Sequence, residues 1–265
     1  MRFVAIALVL AFVGCSGCKD KQAAKQEPAP ATTPQAPGAA PELEMPNVTG
    51  PGLVKPTKLG PTIAFGKTAI LLDGESVVTI GPDGMLDSAR LDTLTRLLET
   101  KATSDGPIAI ELDSSITYQR VGQLLDRLKR AGFRNLALVA GPDAVIPIEL
   151  PDTSEANAGG VRPIVTLDHN RLVLWSASGE EGTKKKPKLV LTIGGNPSDF
   201  QPLTRALSEI VSRRWPSGKR SPEDRTIIVQ LDPTQPASTL LLLLAAVRAE
   251  GGRELFPNIF LAGGV

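Results

Sequence analysis

The chain has 265 residues, 42% hydrophobic and 22% charged, with a formal net charge of +1, which suits two modest domains with extensions and implies no nucleic acid partner. Two cysteines, Cys15 and Cys18, and one histidine, His169, argue against a disulfide framework, a thiolate metal site and histidine-dependent catalysis. No catalytic, metal or cofactor-binding residue is assigned, and the chain is not expected to be an enzyme.

Residues 1–18 carry Arg2, an apolar run from Phe3 to Val13, and small residues before cysteine. That is the layout of a lipoprotein-type signal, and the run is too short to span a bilayer, which takes about 20 residues. Cys15 follows the apolar core directly and is the expected acylation site; Cys18, preceded by Ser16 and Gly17, is the alternative. The expected location is the cell envelope, on the periplasmic face of the inner or outer membrane, held by an N-terminal lipid. Residues 19–58 are rich in Ala, Pro, Gln, Thr and Glu and are read as a disordered tether.

The first domain is expected over residues 59–141. Thr62 to Phe65, Ala69 to Leu72 and Ser76 to Ile80 read as short strands punctuated by Asp73-Gly74 and by the turn residues from Gly81 to Gly84. A helix follows, with Leu91, Leu94, Leu97 and Leu98 as its apolar stripe and Asp87 or Ser88 as its cap. Pro107 to Gly141 then reads as strand, helix, strand: Val121, Leu124, Leu125 and Leu128 line one helical face, and Gly132 stands where a left-handed C-cap belongs. Residues 142–160 form a Pro/Gly-rich linker in which Ala144 to Leu150 could add an edge strand.

The second domain, residues 161–265, repeats this order. Ile164 to Leu167, Leu172 to Ser176 and Leu189 to Ile193 read as strands, with a charged loop containing Lys184, Lys185 and Lys186 between the last two. A helix is expected from Asp199 to Arg214, and Thr226 to Gly264 lies over Pro107 to Gly141. Asp232 falls on Asp113 and Gly251 on Gly132, so these four residues are structural landmarks of a tandem duplication. Pro236 is expected in the first turn of the last helix, and Leu240 to Val247, apolar all round, should be buried on more than one side. The fold class is therefore α/β (α+β): two tandem small mixed-sheet domains, each with about two helices on a sheet.

Several sharper motifs reduce to turns. Gly66-Lys67-Thr68 has the wrong spacing from Gly60 for a phosphate loop and no long helix after it. His169 falls in a hairpin turn, and the lysine run is a solvated loop tip.

The hairpin ILLDGESVVTI at Ile70 to Ile80, the helix LDTLTRLL at Leu91 to Leu98 and the run ITYQRVGQLLDRLKRAGF at Ile116 to Phe133 together resemble the periplasmic domain of the ExbD/TolR family. The resemblance covers most of residues 59–141 and is weaker in the second copy, where Ala237 replaces Tyr118. It implies an interaction module that dimerises, contacts ExbB/TolQ-like or TonB-like proteins and in some members engages peptidoglycan. The family's spanning helix with its membrane carboxylate has no counterpart here, so a proton-carrying role is not implied. The expected function is an accessory of biopolymer transport or envelope energy coupling, with a peptidoglycan- or glycan-binding lipoprotein as the alternative. The two modules are expected to pair with each other or to dimerise.

Overall fold

The computed structural model describes residues 43–50, 52–56, 58–81, 84–101, 106–150, 162–216 and 225–262. Cys15, Cys18 and the signal segment lie outside the described residues.

In the first half, β1 (Thr62–Phe65), β2 (Ala69–Leu72) and β3 (Glu75–Thr79) form a meander, followed by α1 (Ser88–Lys101), β4 (Ile108–Leu112), α2 (Tyr118–Arg130), β5 (Asn135–Gly141) and β6 (Ala144–Glu149). The sheet order is β3-β2-β1-β4-β5-β6, with β1, β4 and β5 parallel and the others antiparallel to their neighbours. The second half runs β7 (Pro163–Asp168), β8 (Arg171–Ser176), β9 (Leu189–Thr192), α3 (Gln201–Arg214), β10 (Thr226–Leu231), α4 (Ala237–Arg248), β11 (Ala249–Glu250), β12 (Arg253–Glu254) and β13 (Asn258–Ala262). Its main sheet is ordered β13-β10-β7-β8-β9. Strand for strand this repeats the first five strands of the other sheet, with β7, β10 and β13 again parallel. The tandem repeat seen in the sequence is thus a repeat of topology.

The period of two along each strand assigns the faces. In β1 and β2, Ile63, Phe65, Ile70 and Leu72 enter the main core, while Ala64, Ala69 and Leu71 form a small cluster on the opposite face covered by Leu43. The amphipathic helix α2 lays Val121, Leu124, Leu125 and Leu128 into the core. Each such side chain contributes roughly 1.5–3 kcal/mol.

Several expectations need correction. In α1, Leu97 is 39% exposed and Thr95 is buried in the stripe, because the core-facing arc follows Leu91, Leu94, Thr95 and Leu98. Pro236 sits one residue before α4, with extended backbone (ψ 155°). Gly251 does not cap that helix as Gly132 (φ +89°) caps α2; with Gly252 it turns the β11–β12 hairpin, which is the extra length after the second helix. The edge strand that Ala144 to Leu150 could add is present as Ala144–Glu149, the sixth strand of the first sheet, so only the linker's start moves.

The expected tether also ends earlier than its composition suggests. Residues 43–50 and 52–54 pack as a strap along the carboxyl ends of the first sheet. Val48 N donates to Ala140 O (3.4 Å), and Val54 exchanges two backbone bonds of 2.9 Å with Val145. Pro46, Val48 and Gly52 are buried. A strap held by backbone bonds and single side chains has no hydrophobic period, so its sequence resembles a linker. It continues onto α4, where a Cβ on Gly52 would lie 2.3 Å from Ala245 O. The strap, α3 and the first half, through α2 and β6, pack around α4, which explains a helix apolar on all sides.

Candidate functional site at the paired strand ends

Strands β4 and β10 are followed directly by Asp113 and Asp232, and both aspartates build the same turn. Asp113 Oδ1 accepts from Ser115 N (3.0 Å) and Oγ (2.6 Å), and Asp232 Oδ1 accepts from Thr234 N (2.8 Å) and Oγ1 (2.5 Å). Ile116 N and Gln235 N close the turns onto the aspartate carbonyls. This accounts for the repeated aspartate: it holds the chain between strand and helix.

The two turns then pair with each other. Tyr118 N donates to Gln235 O (2.6 Å) and Ala237 N to Ile116 O (2.7 Å). Gln119 N donates to Pro233 O (3.0 Å) and Ser238 N to Ser114 O (3.3 Å), with Thr117 bridged to Pro236 at the centre. Donors and acceptors are equivalent positions of the two copies, so the pairing has local two-fold symmetry. These amides are the first of α2 and α4, which the helices themselves leave unpaired. Neither helix has a side-chain cap; each half caps the other. Tyr118, only 4% exposed, adds a bond from its hydroxyl to Ala262 O (2.6 Å), and burial raises its pKa to about 12.

The symmetry breaks in the surroundings of the two carboxylates. Asp113 is fully buried beneath the strap: Glu44 N donates to its Oδ2 (3.2 Å), and Ser114 N donates to Glu44 O (2.9 Å). Lys67, at the β1–β2 hairpin, bonds Glu44 (3.0 Å) and lies 3.9 Å from Asp113. Burial pushes the Asp113 carboxyl up, but bonds from Ser115 and Glu44 and the Lys67 charge more than offset it, and the group stays below the ordinary carboxylate range. Lys67 is held above its ordinary value by the bond to Glu44 and the charge of Asp113.

Among the described residues no strap covers Asp232, and His169 takes the place of Lys67, at the equivalent β7–β8 hairpin. The imidazole Nδ1 lies 2.7 Å from Asp168 Oδ1 and 3.4 Å from Asp232 Oδ2, and Gln235 Nε2 donates to His169 O. The bond to Asp168 and the charges of Asp232 and Asp168 raise the His169 pKa. Asp168, His169 and Asp232 are the one group among the described residues whose ligand atoms, all within 4.8 Å, could hold a metal ion, though each already has a hydrogen-bonding partner. Among the described residues one end of the repeat is thus sealed by the chain itself, while at the other His169 and Asp168 are exposed.

Beside the paired turns lies a groove of about 430 Å³ between α2 and the end of β13, lined by Tyr118, Gln119, Gln123, Leu125, Leu261 and Ala262. A second groove of about 500 Å³ runs along the strap and the helices of the second half, including Gly50, Phe200, Arg205, Leu242 and Ala245.

The sequence located Asp113 and Asp232 but not Glu44, which lies in low-complexity chain without a motif. Lys67 and His169 were visible as turn residues; their equivalence comes only from the strand register. No protein-family model matches this chain, and no curated protein matches it. Among the described residues no helix is long and apolar enough to cross a membrane.

Proposed function

We propose that the chain is a non-enzymatic lipoprotein of the cell envelope whose two ExbD/TolR-like modules form a dimer within one polypeptide and dock a partner of envelope energy coupling or biopolymer transport. The observation that supports this reading is the exchange of helix-capping bonds between equivalent turns, Tyr118 to Gln235 and Ala237 to Ile116. A self-complementary contact of that kind is what a two-fold dimer of single modules uses. Fusion makes the contact intramolecular, at the high effective concentration a short linker gives. The repeated aspartates are satisfied within their own turns, which favours an interaction role over a catalytic one.

In-cell crosslinking followed by affinity purification of the tagged full chain tests the proposal. Recovery of a multi-helix ExbB/TolQ-like or TonB-like protein supports it. Recovery of peptidoglycan fragments alone replaces it with a wall-tethering function, and co-sedimentation with purified sacculi checks that outcome. A second measurement is metabolic labelling with a radioactive fatty acid in Cys15→Ser and Cys18→Ser variants. Loss of label in one of them identifies the acylated cysteine, and a wild-type chain that takes up no label refutes the lipid anchor.

A further inference from the structure

The loop between β8 and β9 carries a run of lysines whose presentation depends on a buried node. Glu181 has no side-chain exposure and is held by Arg213 (2.5 and 2.6 Å to its two oxygens), Arg214 (3.1 Å) and Lys188 (3.5 Å). Its amide donates to the buried Ser176 Oγ (2.9 Å), Ser176 N donates to Gly182 O (3.1 Å), and Lys188 N donates to Leu174 O (2.9 Å). Gly182 has φ +82°, and a Cβ there would fall 2.5 Å from Lys188 N, so this backbone path requires glycine.

Above this base, Thr183 N donates to Lys186 O (2.9 Å) and Lys186 N to Thr183 Oγ1 (3.1 Å), folding Lys184, Lys185 and Lys186 into one tight turn. All three are exposed, and among the described residues none has an acidic partner. The node below is itself cationic in excess, with Arg214 also pairing Glu180 (2.6 Å) and Arg213 still 55% exposed. In a chain of net charge +1 this is segregated charge rather than a general basic surplus. A fixed turn of like charges repels itself, and a negative surface relieves that repulsion.

We propose that this lysine turn docks the folded body onto an anionic phospholipid bilayer. The turn is a convex hairpin tip, which meets a plane, whereas a bound polyanion needs a groove or stacking aromatics. The tryptophans of this half are engaged elsewhere: Trp215 packs edge-on against Phe256, and Trp175 bonds Thr166. The choice of a membrane rests on the lipid-anchored reading, because residues 19–42, extended, span at most about 80 Å and keep the body within reach of the bilayer.

The test is sedimentation of the full chain, made non-acylatable by Cys15→Ser and Cys18→Ser, with phosphatidylcholine vesicles and with vesicles that also contain phosphatidylglycerol. Binding is expected to be stronger to the anionic vesicles and to weaken with salt. Combined Lys184→Gln, Lys185→Gln and Lys186→Gln substitutions should cut the anionic partition coefficient roughly a hundredfold, at about fivefold per lysine. Equal binding to both vesicle types overturns the proposal, as does anionic binding that survives the triple substitution. Both outcomes are independent of acylation, so failure here is distinct from failure of the lipid-anchor reading.

Discussion

Replacing Tyr118 by Phe tests the coupling of the two halves. The hydroxyl is buried and its 2.6 Å bond to Ala262 O joins α2 to the last strand. A neutral hydrogen bond contributes about 0.5–1.5 kcal/mol. Ala262 borders the open groove, so water can reach the orphaned carbonyl, and Tyr118→Phe should cost about 1 kcal/mol near neutral pH. The alkaline limb is more diagnostic. Burial raises this phenol to about 12 from 10.0, so ionising it costs roughly 3 kcal/mol more in the fold than in the unfolded chain. A folded pKa above the unfolded one means the full stabilisation is present below 10.0 and is lost as pH rises toward about 12. Wild type should lose stability across that window relative to Tyr118→Phe, and the order of the two proteins should reverse. Tyr118 is the single tyrosine of the chain, so its ultraviolet tyrosinate band reports the titration directly. Denaturant unfolding of both proteins through the window supplies the free energies. A stability difference independent of pH, or a tyrosinate midpoint at 10.0, refutes the reasoning.

Other outcomes follow from the same contacts. Gly52→Ala places a methyl against the Ala245 backbone and should destabilise the strap by about 1–3 kcal/mol, seen as faster proteolysis between Leu43 and Val54. His169, the one histidine, should titrate above 6.5 by NMR, and Asp232→Asn should move it back toward that value. Its contribution to stability is present below 6.5 and fades as pH rises through the folded value. Glu181→Gln leaves Arg213, Arg214 and Lys188 without their shared anion and should cost about 2–3 kcal/mol, less than a fully enclosed pair because Arg213 reaches solvent. Burial pushes the Glu181 carboxyl up, but the three cations hold it below 4.5, so this stabilisation is present above 4.5 and lost only as pH falls through the lower folded value.

The repeating unit is legible in local residue patterns. The stripe Val121, Leu124, Leu125 and Leu128, the left-handed Gly132 and the strand-ending Asp113 and Asp232 are local signals, set by helical period and turn chemistry, and the structure has all of them. Short alternating strands were legible for the same reason, since one face of each must be buried.

Which groups meet across distance is set by the fold. That Glu44 would seal Asp113, that Tyr118 would reach Ala262, and that Arg213 and Arg214 would enclose Glu181 depend on groups from 32 to 144 residues apart. Such pairings leave no periodicity, because a hydrogen bond or ion pair needs only one suitable group at the right point in space. The exchange of helix caps is the clearest case. Backbone amides carry no side-chain signature, so a sequence can show that two units are alike without showing that each completes the other.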